Sequence, residues 1–506
     1  MTVFTESTLL GAGAAALLLL SYGICTAVYN VYFHPLRRFP GPKLAAASKL
    51  PFVVNRCRGL QARWTKSCHD KYGPVVRLAP DQLSFTSVDA WRDIYGHKVA
   101  GKGGMPKDLT FYGPDSTGAN GIISLCRTND EDHARHRRLL AHAFSDRALR
   151  EQEPLIRKYV DMLIDKIGAS AQTAAPTDMV RMYNYTTFDI MGDLTFGEAL
   201  GLLANSDYTP WVRNIFSTIK VTALIATINN NFPSLSAPIR RFLIPPSLLE
   251  KRKAHARFSE ARVDARLAKS TDRPDIWSFV LRHNEADGKG LSVPEMHANA
   301  GTLMIAGTET TASLLSGLTF HLLRNPDKLA KLAREVRSAF ARPDDMDMLS
   351  LSRLPYLAAC LEEGLRVYPP VPAGLPRIVP PEGRVVCGES VPGGTSVYLS
   401  HYAAYRSPEN FCEPDAFVPE RWLPEEQREE RFKRDVLDVV EPFSYGPRNC
   451  IGKNLAYHEM RLILANMLWH YDLELCPESE QWDDQLMYTI WEKHPLMCKL
   501  KPVVRD

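Results

Sequence analysis

Residues 443–452 read Phe-Ser-Tyr-Gly-Pro-Arg-Asn-Cys-Ile-Gly, a loop that a helical pattern follows directly. Cys450 lies between two glycines, Gly446 and Gly452, and two positions after Arg448. Glycines let the backbone turn sharply and approach a flat ligand closely, and amides at a helix N-terminus stabilise a charged sulfur. The helix is predicted from apolar residues at helical spacing, namely Ala456, Met460, Ile463, Leu464, Met467 and Leu468. The loop therefore predicts a thiolate at a helix entrance.

Several roles are open to a cysteine in such a loop. A single intracellular cysteine is most often buried and inert. Zinc is a poor fit because the nearest other cysteines, Cys412 and Cys476, are distant and the sequence contains no Cys-x-x-Cys pair. Covalent c-type haem attachment is disfavoured for the same reason. A thiolate ligand for haem iron agrees best with the loop and leaves Arg448 free to meet a haem propionate.

The spacing of this loop resembles the haem-binding signature of cytochrome P-450, Phe-x-x-Gly-x-Arg-x-Cys-x-Gly. The matching positions are Phe443, Gly446, Arg448, Cys450 and Gly452. The resemblance implies the fold of that family, with Cys450 as the axial iron ligand of haem b. It covers essentially the whole chain, and stretches such as 131–135 and 188–193 look most like filamentous-fungal members of secondary metabolism related to the trichothecene-pathway hydroxylases.

A second motif lies in an apolar stretch from Val293 to Leu323, which predicts a long helix opened by Ser292 with Glu295 three residues on. In its middle, residues 306–311 read Ala-Gly-Thr-Glu-Thr-Thr. Hydroxyls there can simply kink a helix by bonding to the carbonyl four residues earlier. The block also resembles the oxygen-activation motif of the same family.

This second resemblance implies two catalytic residues. Glu309 is expected to relay protons, and the Thr310 hydroxyl is expected to hydrogen-bond dioxygen during its activation, since splitting dioxygen requires proton delivery. Ala306 and Gly307 are expected to open the helix so that dioxygen and water have room beside the cofactor.

Three further charged residues, Glu363, Arg366 and Arg421, resemble the family's internal charge triad. Glu363 and Arg366 are three residues apart and lie on one helix face, a spacing that usually indicates only a solvated surface pair. The resemblance implies instead a buried, structural triad whose disruption causes severe misfolding.

Haem propionates are anionic, so cations from separate segments are expected to converge on them. The resemblance implies Arg448, Arg377 and Arg137 as propionate ligands. His133 stands where many relatives have tryptophan; it could donate to a propionate or lie on the surface among other charges.

Composition excludes several classes of protein. The 506 residues carry 61 basic and 58 acidic side chains, a formal net charge of +3, which gives no indication of nucleic-acid binding. Ten cysteines at irregular spacing do not suggest a disulfide framework, so a reducing compartment is expected. No internal repeat or long linker divides the chain. Residues 51–506 are therefore expected to form a single haem-thiolate catalytic domain.

The N-terminus predicts a membrane anchor, because no Asp, Glu, Lys or Arg occurs between Ser7 and Phe33. Residues 1–33 are assigned to this anchor, with a transmembrane helix at about residues 9–29. A cleaved signal peptide is the alternative, but it would begin with a basic region and have a shorter apolar core. Residues 34–50 are assigned to a basic, proline-containing hinge. The positive-inside rule then predicts a single pass through the endoplasmic reticulum membrane with the catalytic domain facing the cytosol.

The expected fold is mostly α within the α+β class: a large helical domain with a smaller β-rich N-terminal region, preceded by one transmembrane helix. Predicted helices include Asp132–Ala148, Glu153–Ile167 and Met179–Met191. Predicted strands are Val75–Leu78 and Leu83–Thr86, which form a hairpin, together with Arg384–Val386 and Ser396–Leu399. Substrate is expected to meet loops at residues 101–123, 216–242, 371–375 and 488–491.

The function implied is a monooxygenase that uses O2 to oxidise a small hydrophobic substrate, an intermediate of fungal secondary metabolism. Only about fifty residues follow Cys450 and no dinucleotide-binding fingerprint occurs, so electrons are expected from a separate NADPH-cytochrome P-450 reductase, with cytochrome b5 as an optional second donor. Two alternatives remain open: a haem-thiolate isomerase or dehydratase that does not require O2, and a non-catalytic, membrane-anchored haem or lipid-binding protein.

Overall fold

The computed structural model describes residues 2–97, 104–112, 121–173, 175–232, 246–284 and 290–504. These residues form a large helical body with a smaller β-rich side and one long N-terminal helix, as the sequence predicted. The α-helices, numbered α1 to α18 in chain order, are Thr2–Tyr32, Lys43–Ala47, Leu50–Cys57, Gln61–Tyr72, Leu109–Tyr112, Asp130–Leu140, Asp146–Gln172, Met179–Phe196, Leu202–Asn205, Pro210–Asn231, Pro246–Leu267, Ile276–Arg282, Val293–Arg324, Pro326–Ala339, Met348–Ser352, Pro355–Val367, His401–Ala404 and Lys453–His470. The strands, β1 to β11, are Val75–Ala79, Gln82–Phe85, Thr177–Asp178, Arg377–Ile378, Arg384–Val386, Glu389–Val391, Ser396–Leu399, Tyr471–Leu475, Met487–Tyr488, Ile490–Trp491 and Met497–Pro502.

The main sheet joins the two ends of the catalytic part of the chain. Its strand order is β1-β2-β7-β4, in which β1 and β2 form the predicted antiparallel hairpin with Val75 opposite Phe85. Strand β2 then pairs in parallel with β7, and β7 pairs antiparallel with β4. A second sheet has the order β3-β11-β8, and β5-β6 and β9-β10 are separate hairpins. Strands β5 and β7 have the predicted bounds.

The sequence placed one helix boundary wrongly. The helix predicted over Asp132–Ala148 ends at Leu140 and gives way to a short 3-10 segment, and α7 begins at Asp146. Ser145 caps the N-terminus of α7, because its hydroxyl accepts a hydrogen bond from the Ala148 amide at 3.3 Å, and the predicted helix is therefore interrupted there. Helix α7 contains the predicted helix Glu153–Ile167, including Pro154, and extends beyond it at both ends. Pro154 is exposed, so the carbonyl that lacks a helical partner can face solvent.

Helix α13 runs through the middle of the body, as its apolar pattern predicted. It begins with the predicted capping box, in which the Ser292 amide donates to Glu295 at 2.8 Å. Two glycines let it approach its neighbours closely. A Cβ on Gly307 would lie 2.7 Å from Met191 Sδ on α8, and a Cβ on Gly317 would lie 2.2 Å from the Tyr368 ring. Gly307 therefore makes a tight contact with α8, and the room for dioxygen expected at Ala306 and Gly307 stays a prediction.

A buried charge network joins α16 to the segment that precedes the cysteine loop. Glu363 accepts two hydrogen bonds from Arg366 at 2.7 and 2.8 Å and one from Arg421 at 3.2 Å, and all three side chains are fully buried. Trp422 Nε1 also donates to Glu363 at 2.8 Å, and Arg421 pairs with Asp435. Burial alone would raise the pKa of Glu363, but the two arginines hold it below its ordinary value.

We expect that Glu363→Gln lowers the free energy of unfolding by about 3–5 kcal/mol, because it leaves buried guanidinium groups without their counter-charge. Urea unfolding followed by circular dichroism measures this loss. The matched control is Glu474→Gln, which breaks the 3.2 Å pair with Lys501, whose two side chains are 60% and 72% exposed. That change should cost about 1 kcal/mol or less. Equal losses in the two variants would contradict a structural role for the network.

Candidate active site

The cysteine loop is built around backbone contacts with a distant segment. The Cys450 amide donates to Phe443 O at 2.8 Å, which closes the loop just before α18 begins. Gly446 has a φ of +73°. A Cβ at that position would lie 2.0 Å from Tyr95 O, so only glycine allows the loop to rest on the Tyr95 backbone. A Cβ on Gly452 would make only ordinary contacts, 3.9 Å from the Phe144 ring and 4.0 Å from Cys450 Sγ.

The Cys450 thiol faces an internal space. Its side chain is accessible to water, yet protein surrounds it closely enough that burial raises its pKa. The Gly452 amide, Arg137 and Lys453 oppose that effect and favour the thiolate. A thiol with these neighbours suits a ligand that binds sulfur and holds it deprotonated.

Helix α13 presents accessible residues in its middle, on the side of the cysteine loop. Ile305 is 37% exposed and Ala306 is also exposed, although most other residues in this part of α13 are buried. The Leu125 amide donates to Asn299 Oδ1 of α13 at 2.8 Å, and Arg448 Nη2 donates to Thr128 O at 2.9 Å. Residues 125–128 thus connect α13 to the cysteine loop. Ala306 is seven residues after Asn299, which places it on the same face about 10 Å further along the helix.

The expected proton-relay pair occupies two neighbouring faces of α13. The Thr310 hydroxyl donates to Ala306 O at 2.6 Å, so its oxygen can still accept a hydrogen bond on the Ala306 side. The helix remains regular from Val293 to Arg324, so this bond does not interrupt it. Glu309 is 2% exposed and points elsewhere. Thr310 lies on the accessible face and Glu309 does not.

Glu309 forms a buried ion pair that no sequence pattern indicated. Lys493 Nζ lies 2.5 Å from Glu309 Oε2 and donates to Ser313 Oγ at 2.7 Å, and the exposed fractions of the Lys493 and Glu309 side chains are 5% and 3%. Glu309 Oε1 has no hydrogen-bond partner among the described residues. Glu309 and Lys493 line a cavity of about 550 Å³ that also includes Asn184, Tyr208 and Trp491. Lys493 follows β10, 184 positions from Glu309, too far for local spacing to reveal the contact.

Positive charge converges beside the cysteine loop. Arg377 is 5% exposed, and Arg448 donates to Asp130 Oδ1 at 2.7 Å. In the described part of the chain, Arg377 Nε and Arg448 Nη1 are buried without a hydrogen-bond partner. The sequence analysis missed a third cation, Lys107, whose ammonium donates to Cys126 O. Its backbone forms an isolated bridge with Arg377.

The protonation of this cluster follows from burial and from repulsion between cations. Burial lowers the pKa of Lys107 to about 8, and Arg377 and Arg448 act in the same direction. His133 is 6% exposed, so it does not lie on the surface. Burial, with the nearby Arg448 and Arg137, lowers the pKa of His133 to about 3 and keeps it neutral. Unpaired donors and concentrated positive charge fit the two carboxylates of a haem.

Arg137 is occupied with the cysteine loop itself. Its guanidinium donates to the Asn449 carbonyl at 2.6 Å and to Asn449 Oδ1 at 2.5 Å. This contact positions the residue immediately before Cys450. If Arg137 also binds a propionate, its guanidinium has to do so while it donates to Asn449.

Parts of the expected substrate pocket lie outside the described residues. This holds for positions 101–103 and 113–120 of the first loop and 233–242 of the second. Tyr488 and Trp491, from the fourth loop, line the Glu309 cavity.

The chain is similar to known proteins along nearly its whole length. The family model described as Cytochrome P450 matches residues 48–498. A cytochrome P450 monooxygenase of Hormonema carpetanum is 48% identical over 489 residues, which are 96% of this chain and 95% of that protein. One from Gibberella moniliformis is 48% identical over 476 residues, 93% of this chain and 99% of that protein. One from Aspergillus oryzae is 44% identical over 484 residues, 96% and 95% of the two chains.

We expect that Lys107→Met weakens haem retention about tenfold at pH 7, because a charge-assisted hydrogen bond to a carboxylate is lost. In the haem-free protein, Lys107 loses its proton as the pH rises through about 8, so above that pH it has to take up a proton before it can pair with a carboxylate. The advantage of the wild-type protein over the variant in haem affinity should therefore shrink between pH 7 and pH 9. Titrating the haem-free proteins with haem at each pH measures both effects. Arg92→Met, at a side chain that is 72% exposed, is the control and should change neither haem binding at pH 7 nor its dependence on pH. A constant ratio across this pH range would contradict the assignment of Lys107.

Proposed function

Because this chain belongs to the cytochrome P450 family, we propose that it oxidises a small hydrophobic intermediate of fungal secondary metabolism. It is a haem-thiolate monooxygenase, like the named monooxygenases that it resembles along nearly its whole length. One observation carries the site assignment: an enclosed thiol at Cys450 beside the accessible face of α13 and a cluster of cations. The fungal origin of the three relatives supports the proposed substrate class.

The protein contributes ligation, charge and shape to the cofactor. Bound haem supplies the reductive activation of dioxygen, which a thiolate ligand favours by donating electron density. Cys450 is assigned as the iron ligand, with its thiolate stabilised by the Gly452 amide and the start of α18. Arg377, Arg448 and Lys107 are assigned to the propionates, and neutral His133 can donate one hydrogen bond beside them. Ile305 and Ala306 provide an apolar wall on the opposite side.

Protons are proposed to reach this space through Glu309. A proton taken up at Glu309 Oε1 enters from the cavity that Glu309 and Lys493 line, since that oxygen has no partner in the described chain. Thr310, the next residue, can accept a hydrogen bond on the Ala306 face, and its own bond to Ala306 O fixes the orientation of its hydroxyl. Lys493 holds the Glu309 carboxylate on the cavity side.

Electrons are proposed to come from an NADPH-dependent reductase, with cytochrome b5 as a second donor, on the surface outside the cysteine loop. Two cations of the segment before the cysteine loop are already paired, Arg431 with Glu413 and Glu429, and Lys433 with Glu430. Their charge is therefore largely neutralised. Lys453, exposed at the start of α18, is the better candidate for contact with an acidic partner.

The protein is proposed to be located in the endoplasmic reticulum membrane. Within α1, residues Gly13–Tyr32 are long and apolar enough to cross a membrane. The basic residues that follow this span place the catalytic domain on the cytosolic side.

Cys450→Ser tests the ligand directly. We expect the reduced, carbon monoxide-bound variant to lose the red-shifted Soret maximum of thiolate-ligated haem, and NADPH-driven product formation with it. Comparing metabolites of intact and gene-deleted strains identifies the substrate for this assay. Cys126→Ser changes an exposed cysteine near the same site and should keep the spectrum. A thiolate spectrum that survives in Cys450→Ser would overturn the assignment.

Lys493→Met tests the ion pair at the proton relay. We expect product formation to fall about tenfold to a hundredfold and the share of NADPH electrons released as hydrogen peroxide to rise, because proton delivery depends on a positioned Glu309. Thr310→Ala should likewise raise the share of NADPH electrons that is released as hydrogen peroxide. Lys220→Met, which breaks a half-exposed pair with Glu492 in the same cavity, is the matched control. Unchanged coupling in both Lys493→Met and Thr310→Ala would refute this path.

A further inference from the structure

We propose that the membrane helix and the catalytic domain form one rigid unit, locked at Arg77, so that the domain rests on the bilayer at a single tilt with the exposed side of α2 and α3 in the lipid interface. The inference rests on the proposed membrane anchoring. It goes beyond anchoring because a helix on a flexible linker would leave the orientation of the domain free.

Two guanidinium groups hold the C-terminal end of α1. Arg77 Nη1 donates to Asn30 O at 2.9 Å, and Arg37 Nη1 donates to Tyr32 O at 3.0 Å. The last carbonyls of a helix have no helical partners and carry the negative end of the helix dipole. Cations placed there satisfy both the hydrogen bonds and the charge, so the end of α1 is fixed to the groups that carry them.

Arg77 connects this helix end to the main sheet. It lies on β1, is 1% exposed, and donates Nε and Nη2 to Pro80 O at 3.1 and 2.7 Å. Its forked donors are thus divided between the turn after β1 and the end of α1. A planar guanidinium fixed in this way leaves little freedom for either partner to rotate.

The segment after α1 is also bound along its length. Arg77 N donates to Pro40 O at 2.8 Å, and a Cβ on Gly41 would lie 2.3 Å from Arg77 O. Leu36 is fully buried and Phe39 is 7% exposed, within the core formed by the β-rich side. These contacts leave no free linker between helix and domain.

Two further contacts tie the same region to other elements. Asn30 Nδ2 donates to Ala47 O on α2 at 3.0 Å. Arg38 forms a 3.0 Å ion pair with Glu389 and donates to Ser390 O at 2.7 Å on β6. The residues assigned to a hinge from their prolines therefore contact β1 and β6, and the end of α1 contacts α2.

A fixed joint determines which face meets the membrane. Helix α2 packs against the last turns of α1, and it continues into α3. These two helices expose Leu44 (77%), Leu50 (55%) and Val54 (41%). Lys43 is exposed beside Leu44, whereas Lys49 pairs with Asp81 at 2.8 Å. Exposed apolar side chains with a neighbouring cation suit acyl chains and anionic headgroups. Continuity with the membrane helix commits this surface to lipid.

Distance measurements in nanodiscs test the rigid joint. Spin labels carried on a ketone-bearing amino acid at Leu18, on α1, and at Val385, in the β5-β6 hairpin, report the angle between anchor and domain; both side chains are exposed. We expect one narrow distance distribution in the otherwise unchanged protein. Inserting Gly-Ser-Gly after Val28, on the membrane side of the contacts made by Asn30 and Tyr32, uncouples the anchor from the joint without changing any domain residue and should broaden the distribution at least twofold. Arg77→Lys should broaden it too, because one ammonium cannot span both carbonyls.

The controls separate the joint from the anchor. Arg58→Lys, at an exposed arginine on the same side of the domain, should leave the distribution narrow. An unmodified protein as broad as the insertion variant would overturn the rigid unit, and a narrow Arg77→Lys distribution would overturn the role of Arg77. Retention in membranes after an alkaline carbonate wash tests anchoring independently; its loss would refute the anchor instead.

Lipid contact is tested by tryptophan fluorescence with brominated phospholipids in the nanodisc. We expect the extra emission of Leu44→Trp to be quenched at least twofold. Leu349→Trp, at a side chain 60% exposed on α15, should not be quenched. Equal quenching at the two positions in an anchored protein would overturn the assignment of α2 and α3 to the lipid interface.

Discussion

A carboxylate without access to solvent, Glu363, lies between two arginines, and the segment that carries the cysteine loop depends on it. Arg421 connects Glu363 to Asp435, and Arg366 donates to the carbonyls of Pro414 and Ala416. An isolated buried charge is strongly destabilising, so these groups specify one another's positions. The chain between α17 and the cysteine loop contains only short 3-10 helices, and the network supplies the order that regular structure does not.

The site itself depends on close approach as much as on charge. Gly446 brings the cysteine loop onto the Tyr95 backbone, and Gly307 brings α13 onto Met191 of α8. Arg137 then holds Asn449, so the residue before Cys450 cannot move independently of α6. Cations from three separate segments surround an enclosed thiol as a result. Such a site favours an anionic, iron-containing ligand before any substrate is considered.

Two lysines show how the remainder of the fold enters the chemistry. Lys493 comes from the C-terminal hairpin region and Lys107 from the segment beside β4, yet one neutralises Glu309 and the other lies among the cations near the cysteine loop. The anchor follows the same principle, since Arg77 of the main sheet satisfies the end of the membrane helix. In each case a charged side chain binds or lies beside polar groups that come from an element far away in sequence.

The sequence alone determined what depends on neighbours along the chain. The cysteine loop, the capping box of α13, the β1-β2 hairpin and the apolar N-terminal helix could all be predicted, because turn chemistry, capping and periodicity act over a few residues. The same rules failed at Ser145, where a cap decided the boundary between α6 and α7. Only the tertiary structure revealed Lys107, Lys493, Asp435 and the joint at Arg77. Their partners are far away in sequence, and burial and packing, which local rules do not contain, decide which distant charges meet.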